Sequence, residues 1–492
     1  MKNFLLTTAA ILVFSVFGNA QKFTVSNNQT VILEKSGRMI NIFKRQNVYA
    51  GFDGKNHYFI VNGKLLKTDE TLKKTTAIEL QQEFFDGVLI NFYSEDVAGL
   101  ICIEQNKNSV IVKKVIVDGN GLKETELKTL SIAKHDYYQI NTAVSPDKKT
   151  KMIALTVISG KNDYKFTEIF VINNQGELRW SEQISPTFKN ESLGFYDMCV
   201  GNDGSVYVLA NSYTIKVKNC NLHLFKVNEE EGITKNITES FPFNTIGAMN
   251  IIALSNGNVF IGGIFTKESS FDYANDIDEL GTFSYVFDAQ SLEKQNFKSK
   301  FLPETTPKGL TLKEAYTNER GKTIKGIYET SNGNVTMLVE ELVTIQGMQT
   351  PTMYCRGNVL IFGFDLDGNY KKSDILFKRQ LSHNLNILNS FDVIVDNDKL
   401  VLIYNDNAKN DVTKNLPKPK QFVAYSYKKG QTVACIVKDG TVGKKQTLIN
   451  AKEEKRIFYN MVEQLDNQVV IRIQTGMAAV GPLMLETITW QK

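Results

Sequence analysis

Short apolar runs rich in β-branched and aromatic residues recur along the chain, and a few turn-forming residues separate each pair of runs. The clearest example spans residues 195–212, FYDMCVGNDGSVYVLANS, in which Asn202, Asp203 and Gly204 divide two such runs. An Asx-Gly pair supplies the positive φ angles that a tight hairpin turn requires. This stretch therefore predicts an antiparallel β-hairpin.

The same pattern returns seven more times. The residues predicted to stand in these turns are Asp53, Asp86, Asp147, Asp203, Asn256, Asn332, Asp398 and Asp466. A second hairpin usually follows the first, so each repeat is predicted to hold four antiparallel strands, A to D. The 33 residues between the first two turns are few for four strands.

Repeated four-stranded units with few predicted helices resemble a β-propeller, in which blades pack face to face around a central axis. The resemblance predicts a single all-β domain over residues 21–492, with eight blades, or seven as the alternative. The last unit ends after a third strand. The segment from Thr30 to Lys44 is therefore predicted to supply its outermost strand and to close the ring.

The first 20 residues have the pattern of a cleaved export signal. Lys2 precedes an apolar run from Phe4 to Phe17, and the small residues Gly18 and Ala20 occupy the positions that a signal peptidase reads. The apolar run is too short for a comfortable membrane span, and no second such run follows. This leader and the Asn/Lys-rich body resemble exported proteins of Bacteroidota. Because the last residues read as a closing blade and not as the C-terminal domain of type IX secretion cargo, the chain is expected to stay in the periplasm.

Composition narrows the function classes. The hydrophobic content of 42% suffices for a large core, and the net charge is only +4, or +3 without Lys2. We read this small surplus as spread along the chain, which gives no basic field for nucleic acid. The five cysteines include no CxxC pair and are predicted to be buried thiols.

Connection lengths differ between the two faces of the predicted disc. The A–B and C–D turns, on what we call the short-turn face, are short, whereas the B–C and D–A connections on the long-loop face are Thr266 to Gly281, Ser299 to Lys325, Val343 to Tyr354 and Asn405 to Pro419. Insertions on one side of a rigid scaffold often build binding surfaces. The predicted partner-binding residues on this face are Met348, Met353, Lys409, Lys414, Lys418, Lys420 and Met477.

A second repeat lies inside the first, because an Asx residue stands six positions before most predicted turn residues. These positions are Asn47, Asn141, Asp197, Asn250, Asp392 and Asn460. They are predicted to start strand A and to ring the channel mouth. Asx side chains satisfy backbone N–H groups, which is the favoured interpretation. The alternative is a Ca²⁺ site, similar in position and residue type to lactonase-like propellers, although only two members carry charge.

Three functional hypotheses follow. The favoured one is a non-enzymatic periplasmic propeller that binds a protein partner through its long-loop face, for example as a plug of an outer-membrane export channel such as the type IX secretion translocon. The alternatives are a hydrolase or lactonase-like enzyme with a channel metal, and a binder of glycan or another small ligand. The first is preferred because no catalytic motif is visible, while long, partly apolar loops are present.

Overall fold

The computed structural model describes residues 23–25, 32–33, 48–61, 64–80, 87–94, 97–118, 121–160, 164–185, 192–213, 220–242, 245–266, 280–302, 321–345, 352–383, 390–465, 468–475 and 483–490. These parts of the chain are almost entirely strand. Among them, no helix has both the length and the apolar character that a bilayer span requires. The predicted export signal, residues 1–20, lies outside the described residues.

Two short strands precede the first blade, namely β1 (Phe23–Val25) and β2 (Ile32–Leu33). Blades 1 to 4 then follow in chain order. Blade 1 consists of β3 (Val48–Phe52), β4 (Asn56–Val61), β5 (Lys64–Asp69) and β6 (Thr75–Glu79), and blade 2 of β7 (Gly87–Ser94), β8 (Val97–Asn106), β9 (Ser109–Asp118) and β10 (Gly121–Ser131). Blade 3 consists of β11 (Tyr137–Val144), β12 (Thr150–Ile158), β13 (Tyr164–Asn173) and β14 (Leu178–Ile184), and blade 4 of β15 (Ser192–Val200), β16 (Val206–Tyr213), β17 (Cys220–Asn228) and β18 (Gly232–Ser240).

Blade 5 consists of β19 (Thr245–Ala253), β20 (Asn258–Thr266), β21 (Leu280–Asp288) and β22 (Lys294–Phe301), and blade 6 of β23 (Lys322–Thr330), β24 (Asn334–Ile345), β25 (Met353–Asp365) and β26 (Tyr370–Leu376). Blade 7 consists of β28 (Phe391–Asp396), β29 (Lys399–Asn407), β31 (Gly430–Lys438) and β32 (Thr441–Asn450), and blade 8 contains β33 (Arg456–Gln464), β34 (Gln468–Thr475) and β35 (Leu483–Trp490). Two additional short strands are β27 (Gln380–His383), after blade 6, and β30 (Phe422–Val423), between β29 and β31. The helices among the described residues are the 3₁₀-helix Ala424–Lys429 and α1 (Ala451–Glu454).

Each blade is an antiparallel sheet whose four strands lie in the order A to D, and the first strands of successive blades contact one another around the axis. The prediction of eight four-stranded blades in a β-propeller ring is therefore confirmed, and the seven-blade alternative is wrong. The middle strands lie between neighbouring blades, so β12 is buried along nearly its whole length. The outer strand β18 instead alternates between half-buried and exposed residues, as expected for a strand with one solvent-exposed face.

The second hairpin differs from the prediction. We placed its turn at Asp86, but strand A of blade 2 begins immediately afterwards at Gly87, and residues 95–96 separate its strands A and B. The run VLINFY is therefore strand A, not strand B. Blade 1 fits into its short stretch because its strands have only five or six residues each. An Asx-Gly pair is a turn signal, but it does not say which of two adjacent connections it occupies.

The N-terminal segment closes the ring, but with other residues than predicted. β1 pairs antiparallel with β35, with Phe23 opposite Trp490, and Phe23 is buried against the indole. Gln446 of blade 7 also binds Phe23, since its Nε2 donates a hydrogen bond to the Phe23 carbonyl at 2.7 Å. Within the predicted span from Thr30 to Lys44, Ile32–Leu33 pairs with β35, while the rest lies outside the described residues.

Hydrogen bonds between inner strands bind the blades on the channel side. Glu463 of β33 accepts hydrogen bonds from Asn91 Nδ2 and from the Tyr93 hydroxyl, both on β7 and both at 3.0 Å. Blades 8 and 2 are thus joined past the short inner strand of blade 1. Lys151 of blade 3 donates to the Asn91 carbonyl at 2.7 Å, which extends this seam to a third blade.

Cys102, Cys199, Cys355 and Cys435 are buried thiols, as predicted. Cys199 lies on strand A and Cys220 on strand C of blade 4, which also agrees with the predicted placement.

Replacing Phe23 by alanine should lower the free energy of unfolding by about 3–5 kcal/mol, because loss of the phenyl side chain would leave a cavity beside Trp490 in the last blade. Thr24→Ala, at the next and exposed position of the same strand, serves as the control and should change stability by less than about 0.5 kcal/mol. Urea unfolding of the purified proteins measures both free energies of unfolding. Equal midpoints for Phe23→Ala and wild type would show that β1 does not hold the ring closed.

Candidate functional site

Most members of the predicted Asx ring lie farther along the inner strands than predicted. Asn141, Asp197, Asn250 and Asn460 occupy the middle of the inner strands β11, β15, β19 and β33, whereas we predicted them at the strand starts. Asp392 is the second residue of β28, at the strand start as predicted. β11, β15, β19 and β33 begin several residues earlier than their apolar patterns indicate. Asn47 lies outside the described residues.

Both charged members of the ring accept a hydrogen bond from the next blade. Asp197 Oδ2 accepts from the backbone N–H of Ile251 at 3.3 Å, and Asp392 Oδ2 accepts from that of Met461 at 2.6 Å. Burial raises the pKa of Asp197 to about 6, although hydrogen bonds from Met198, Ile251 and Asn250 act in the opposite direction. Burial likewise raises the pKa of Asp392. In this geometry each carboxylate bridges neighbouring inner strands.

The structure also explains the ring position at which blade 6 has glycine. A Cβ atom at Gly326 would lie 2.5 Å from the hydroxyl of Tyr328, so the tyrosine ring takes the place that an Asx side chain has elsewhere. Asp197 and Asp392 lie three blades apart. Within the part of the chain that the structure describes, no group of three or more His, Cys, Asp or Glu side chains is arranged to hold a metal ion.

The channel opens into a cavity of about 860 Å³ on the short-turn face. Inner strands and A–B turns of several blades line it, and its wall mixes polar with apolar side chains, including Thr142, Val144, Asp197, Asn250, Ile251, Tyr328, Val395 and Gln464. Val144 is 49% exposed there, so part of the wall is apolar and accessible. The size is within the range of small-ligand sites.

The predicted contact residues of the long-loop face are only partly described. Lys409, Lys414, Lys418 and Lys420 are all exposed, on the connection between β29 and β30. Met353 is not a loop residue as predicted: it is half-buried in β25, opposite Ile345 and His383. Met348 and Met477 lie outside the described residues.

A second layer of structure covers the long-loop face at blades 6 to 8. We call it the accessory layer, and it consists of residues 342–345 at the end of β24, residues 353–356 at the start of β25, β27, the connection 408–421, β30, the 3₁₀-helix Ala424–Lys429 and α1. β27 pairs antiparallel with the extended start of β25 and parallel with β30. Phe422, Ala424, Ala451 and Ile457 form its small apolar core.

A buried ion-pair cluster lies beneath the accessory layer, and sequence reasoning missed it. Glu340 is completely buried and accepts from Lys378 Nζ at 2.5 Å, Arg356 Nη1 at 2.8 Å and Ser390 Oγ at 2.7 Å. Burial alone would raise the pKa of Glu340, but the charges of Lys378 and Arg356 outweigh it and hold that pKa below its ordinary value. The signal in the sequence was a Glu-Glu pair inside the apolar run of β24.

Amide side chains extend this cluster across three blades. Gln380 accepts from Lys378 Nζ at 2.9 Å and donates to the Asn405 carbonyl at 2.7 Å. Asn405, also buried, donates to the Phe458 carbonyl of blade 8 at 2.8 Å. The stretch from Asn405 to Pro419, which we predicted to be a simple surface loop, therefore begins with a residue that holds blades 7 and 8 together.

No protein-family model matches the chain, and no curated protein sequence matches it. Solved structures similar to it over most of its length include the WD40 domain of SCAP from fission yeast, at 9% identity and a TM-score of 0.36, covering 96% of this chain and 94% of that one. Polysaccharide lyase Uly1 is similar at 11% identity and a TM-score of 0.36, covering 95% and 99%. Prolyl oligopeptidase B from Galerina marginata is similar at 8% identity and a TM-score of 0.37, covering 88% and 56%. Likenesses at this distance assign no function.

Asp197→Asn should flatten the pH dependence of stability. Because the folded state keeps the Asp197 proton up to about pH 6 while the unfolded state loses it near pH 4, the free energy of unfolding of the wild type falls as pH rises between these values. The variant should lack this fall, which amounts to at most about 3 kcal/mol. Denaturant unfolding at pH 4, 5, 6 and 7 measures the difference. Parallel pH curves for the two proteins would contradict the burial of this carboxyl.

Proposed function

We propose that the protein is a binding scaffold that docks a protein partner on its long-loop face, with the accessory layer as the contact surface, and that it does so without catalysing a reaction. The observation that carries the proposal is the anchoring of this layer by the Glu340 cluster. A connection that only spans two strands needs no buried charges, and burying charges costs free energy of desolvation. Here the connection 408–421 is held in place by hydrogen bonds of Asn410 and Asn415.

A fixed surface suits partner binding for a physical reason. Loops that must be ordered on association lose conformational entropy, which subtracts from the affinity, whereas a preorganised surface avoids that loss. The accessory layer adds exposed apolar and charged side chains to this rigid base, since Ile345 is 43% and Leu416 is 45% exposed. These exposed side chains favour a protein partner over a ligand enclosed in the channel.

The proposal extends to location. The export signal predicted at residues 1–20 supports a periplasmic protein, and a disc that exposes one structured face suits a soluble subunit that caps an outer-membrane complex. A protein-export channel of the type IX kind is the partner that we propose, by analogy with the soluble propeller-like subunits of Bacteroidota outer-membrane machines. Mass spectrometry of proteins that co-purify with the chain identifies the partner.

Ile345→Asp should reduce recovery of that partner at least about tenfold, because it places a charge in an apolar contact region of the long-loop face. The matched control is Ile233→Asp, since Ile233 is 38% exposed on the outer strand of blade 4. Both tagged proteins are purified from solubilised membranes after a check of their melting temperatures. Equal recovery by the folded Ile345→Asp variant and wild type, or loss only in the control, would count against this face. The Asn405 to Pro419 stretch is not deleted, because Asn405 supports the fold.

The cavity of about 860 Å³ favours a second candidate function, the binding of a glycan or another small ligand at the short-turn mouth of the channel. Its mixed polar and apolar wall is typical of such sites. Unlike the sequence-based hypothesis, this candidate places the ligand on the opposite face from the long loops.

A thermal-shift screen with oligosaccharides and short peptides tests this second candidate. A true ligand should raise the melting temperature of the wild type by mass action and should have no effect on Val144→Trp, in which the indole fills the mouth. Because Val144 is half exposed, the variant itself should fold normally. A shift of equal size in both proteins would place the ligand outside the channel.

A further inference from the structure

The excess positive charge of the chain is concentrated in one segment. We had expected it to be spread along the chain. Residues 407–450 contain nine lysines and two aspartates, with no arginine or glutamate, and therefore carry a net charge of +7. Because the whole chain carries +4, the rest carries −3. Blade 7 as a whole, residues 391–450, contains ten lysines and six aspartates and carries +4, as much as the full chain, so the excess of positive charge lies in this blade and its part of the accessory layer.

The fold brings lysines from separate parts of this segment together. The backbone N–H of Ala408 donates to the Lys429 carbonyl at 2.8 Å, which places Lys409 beside the 3₁₀-helix. Asn410 exchanges two hydrogen bonds with the backbone of Lys420, at 2.8 and 2.9 Å. We call the exposed members of this group the lysine cluster, which consists of Lys409, Lys414, Lys418, Lys420, Lys428, Lys429 and Lys444.

The connection that carries most of these lysines is fixed to the blade. Asn415 accepts from the backbone N–H of Phe377 at 3.0 Å and donates to the carbonyl of Ile375 at 2.6 Å, both at the end of blade 6. Lys445 of β32 donates to the same Asn415 oxygen at 3.0 Å. The lysine cluster therefore presents its charges from a backbone held between two blades.

Most of the lysine cluster lacks an acidic neighbour. Within the described residues, Lys414 forms an ion pair with Asp411 at 3.3 Å, and no other member has a carboxylate within 4.0 Å. Some lysines of other blades are paired, for example Lys64 with Glu79 at 2.9 Å and Lys294 with Glu239 at 2.5 Å. Like charges that are held together repel one another and oppose the compact state, so carboxylates from outside would relieve this repulsion.

We propose that the lysine cluster docks an acidic surface of the protein partner. This inference rests on the proposed function and names the chemistry of that interface. Two features favour protein carboxylates over phosphates of lipid or nucleic acid. The segment has no arginine, which is the residue suited to bidentate phosphate recognition. The lysines also have fixed backbone positions, which match a partner with fixed charges better than a fluid membrane.

The test combines charge reversal with zero-length crosslinking. In the cluster variant, Lys409, Lys414, Lys418 and Lys420 are all replaced by Glu. In the control variant, four exposed lysines on other blades are replaced in the same way, namely Lys55, Lys73, Lys107 and Lys134. A third variant with Gln at the four cluster positions removes charge without reversing it. All are checked for wild-type melting temperature before use.

Recovery of the partner from solubilised membranes should fall at least about tenfold in the cluster variant and less in the Gln variant, and it should change less than about twofold in the control. Recovery by the wild type should also fall between about 50 mM and 500 mM salt, since screening weakens charge steering. Carbodiimide, which joins amines directly to carboxylates, should link the lysine cluster of the wild type to Asp or Glu of the partner.

Each other result overturns a specific statement. If Ile345→Asp loses the partner while the cluster variant keeps it at both salt concentrations, the proposed function stands and the acidic interface is wrong. If the wild type recovers no partner, the proposed function and this inference fail together. If the wild type instead binds vesicles of phosphatidylglycerol and the cluster variant does not, the lysine cluster recognises lipid phosphate and not a protein.

Discussion

The pairing of β1 with β35 is the contact on which the rest of the ring depends. Seven blades are each formed from one continuous stretch of chain, but blade 8 gains its outermost strand from the other end of the molecule. The contact is short, because only three residues of β1 pair with β35. The burial of Phe23 against Trp490 and the hydrogen bond from Gln446 to the Phe23 carbonyl add to its stability. Since each blade packs on two neighbours, loosening this contact exposes a face of blade 8 and weakens the whole ring.

Polar contacts divide the ring into two unlike sides. On the channel side, inner strands are joined by single carboxylates such as Asp197, Asp392 and Glu463, each of which accepts hydrogen bonds from another blade. On the long-loop face, blades 6 to 8 instead share the Glu340 cluster and Asn405. The first arrangement is repeated around the axis and is explained by ring assembly alone. The second occurs at one sector and supports a separate layer, which is why we attach function to it.

The fold could be predicted because its information is local. Alternating or continuous apolar runs and Asx turns identify hairpins, and Asp53, Asp147, Asp203 and Asn256 do accept backbone hydrogen bonds from their own turns. The error at Asp86 arose because the same signal fits two adjacent connections. Closure by the N-terminus followed from the missing strand of the last blade, whereas its register depends on Phe23 meeting Trp490, which are separated by nearly the whole chain.

The candidate site was less predictable because its determinants are not local. The exposed lysines were visible as a run, but their convergence with Lys428, Lys429 and Lys444 required the pairing of the accessory layer. Glu340 lies on β24, Arg356 on β25 and Lys378 between β26 and β27, and nothing in their spacing marks them as a cluster. The Asx ring was found as a repeat, yet its position along the inner strands depended on strand starts that apolar patterns do not define well.

Hydrogen–deuterium exchange of the protein, alone and bound to its purified partner, is the most direct test of the central claim that the accessory layer is the binding surface. The account predicts that binding slows exchange in residues 342–345, 353–356 and 408–429, while the short turns near Lys148, Ser255 and Ser331 keep their rates. Slowed exchange at those short turns, with no change in the accessory layer, would contradict it and would place the functional surface at the channel mouth.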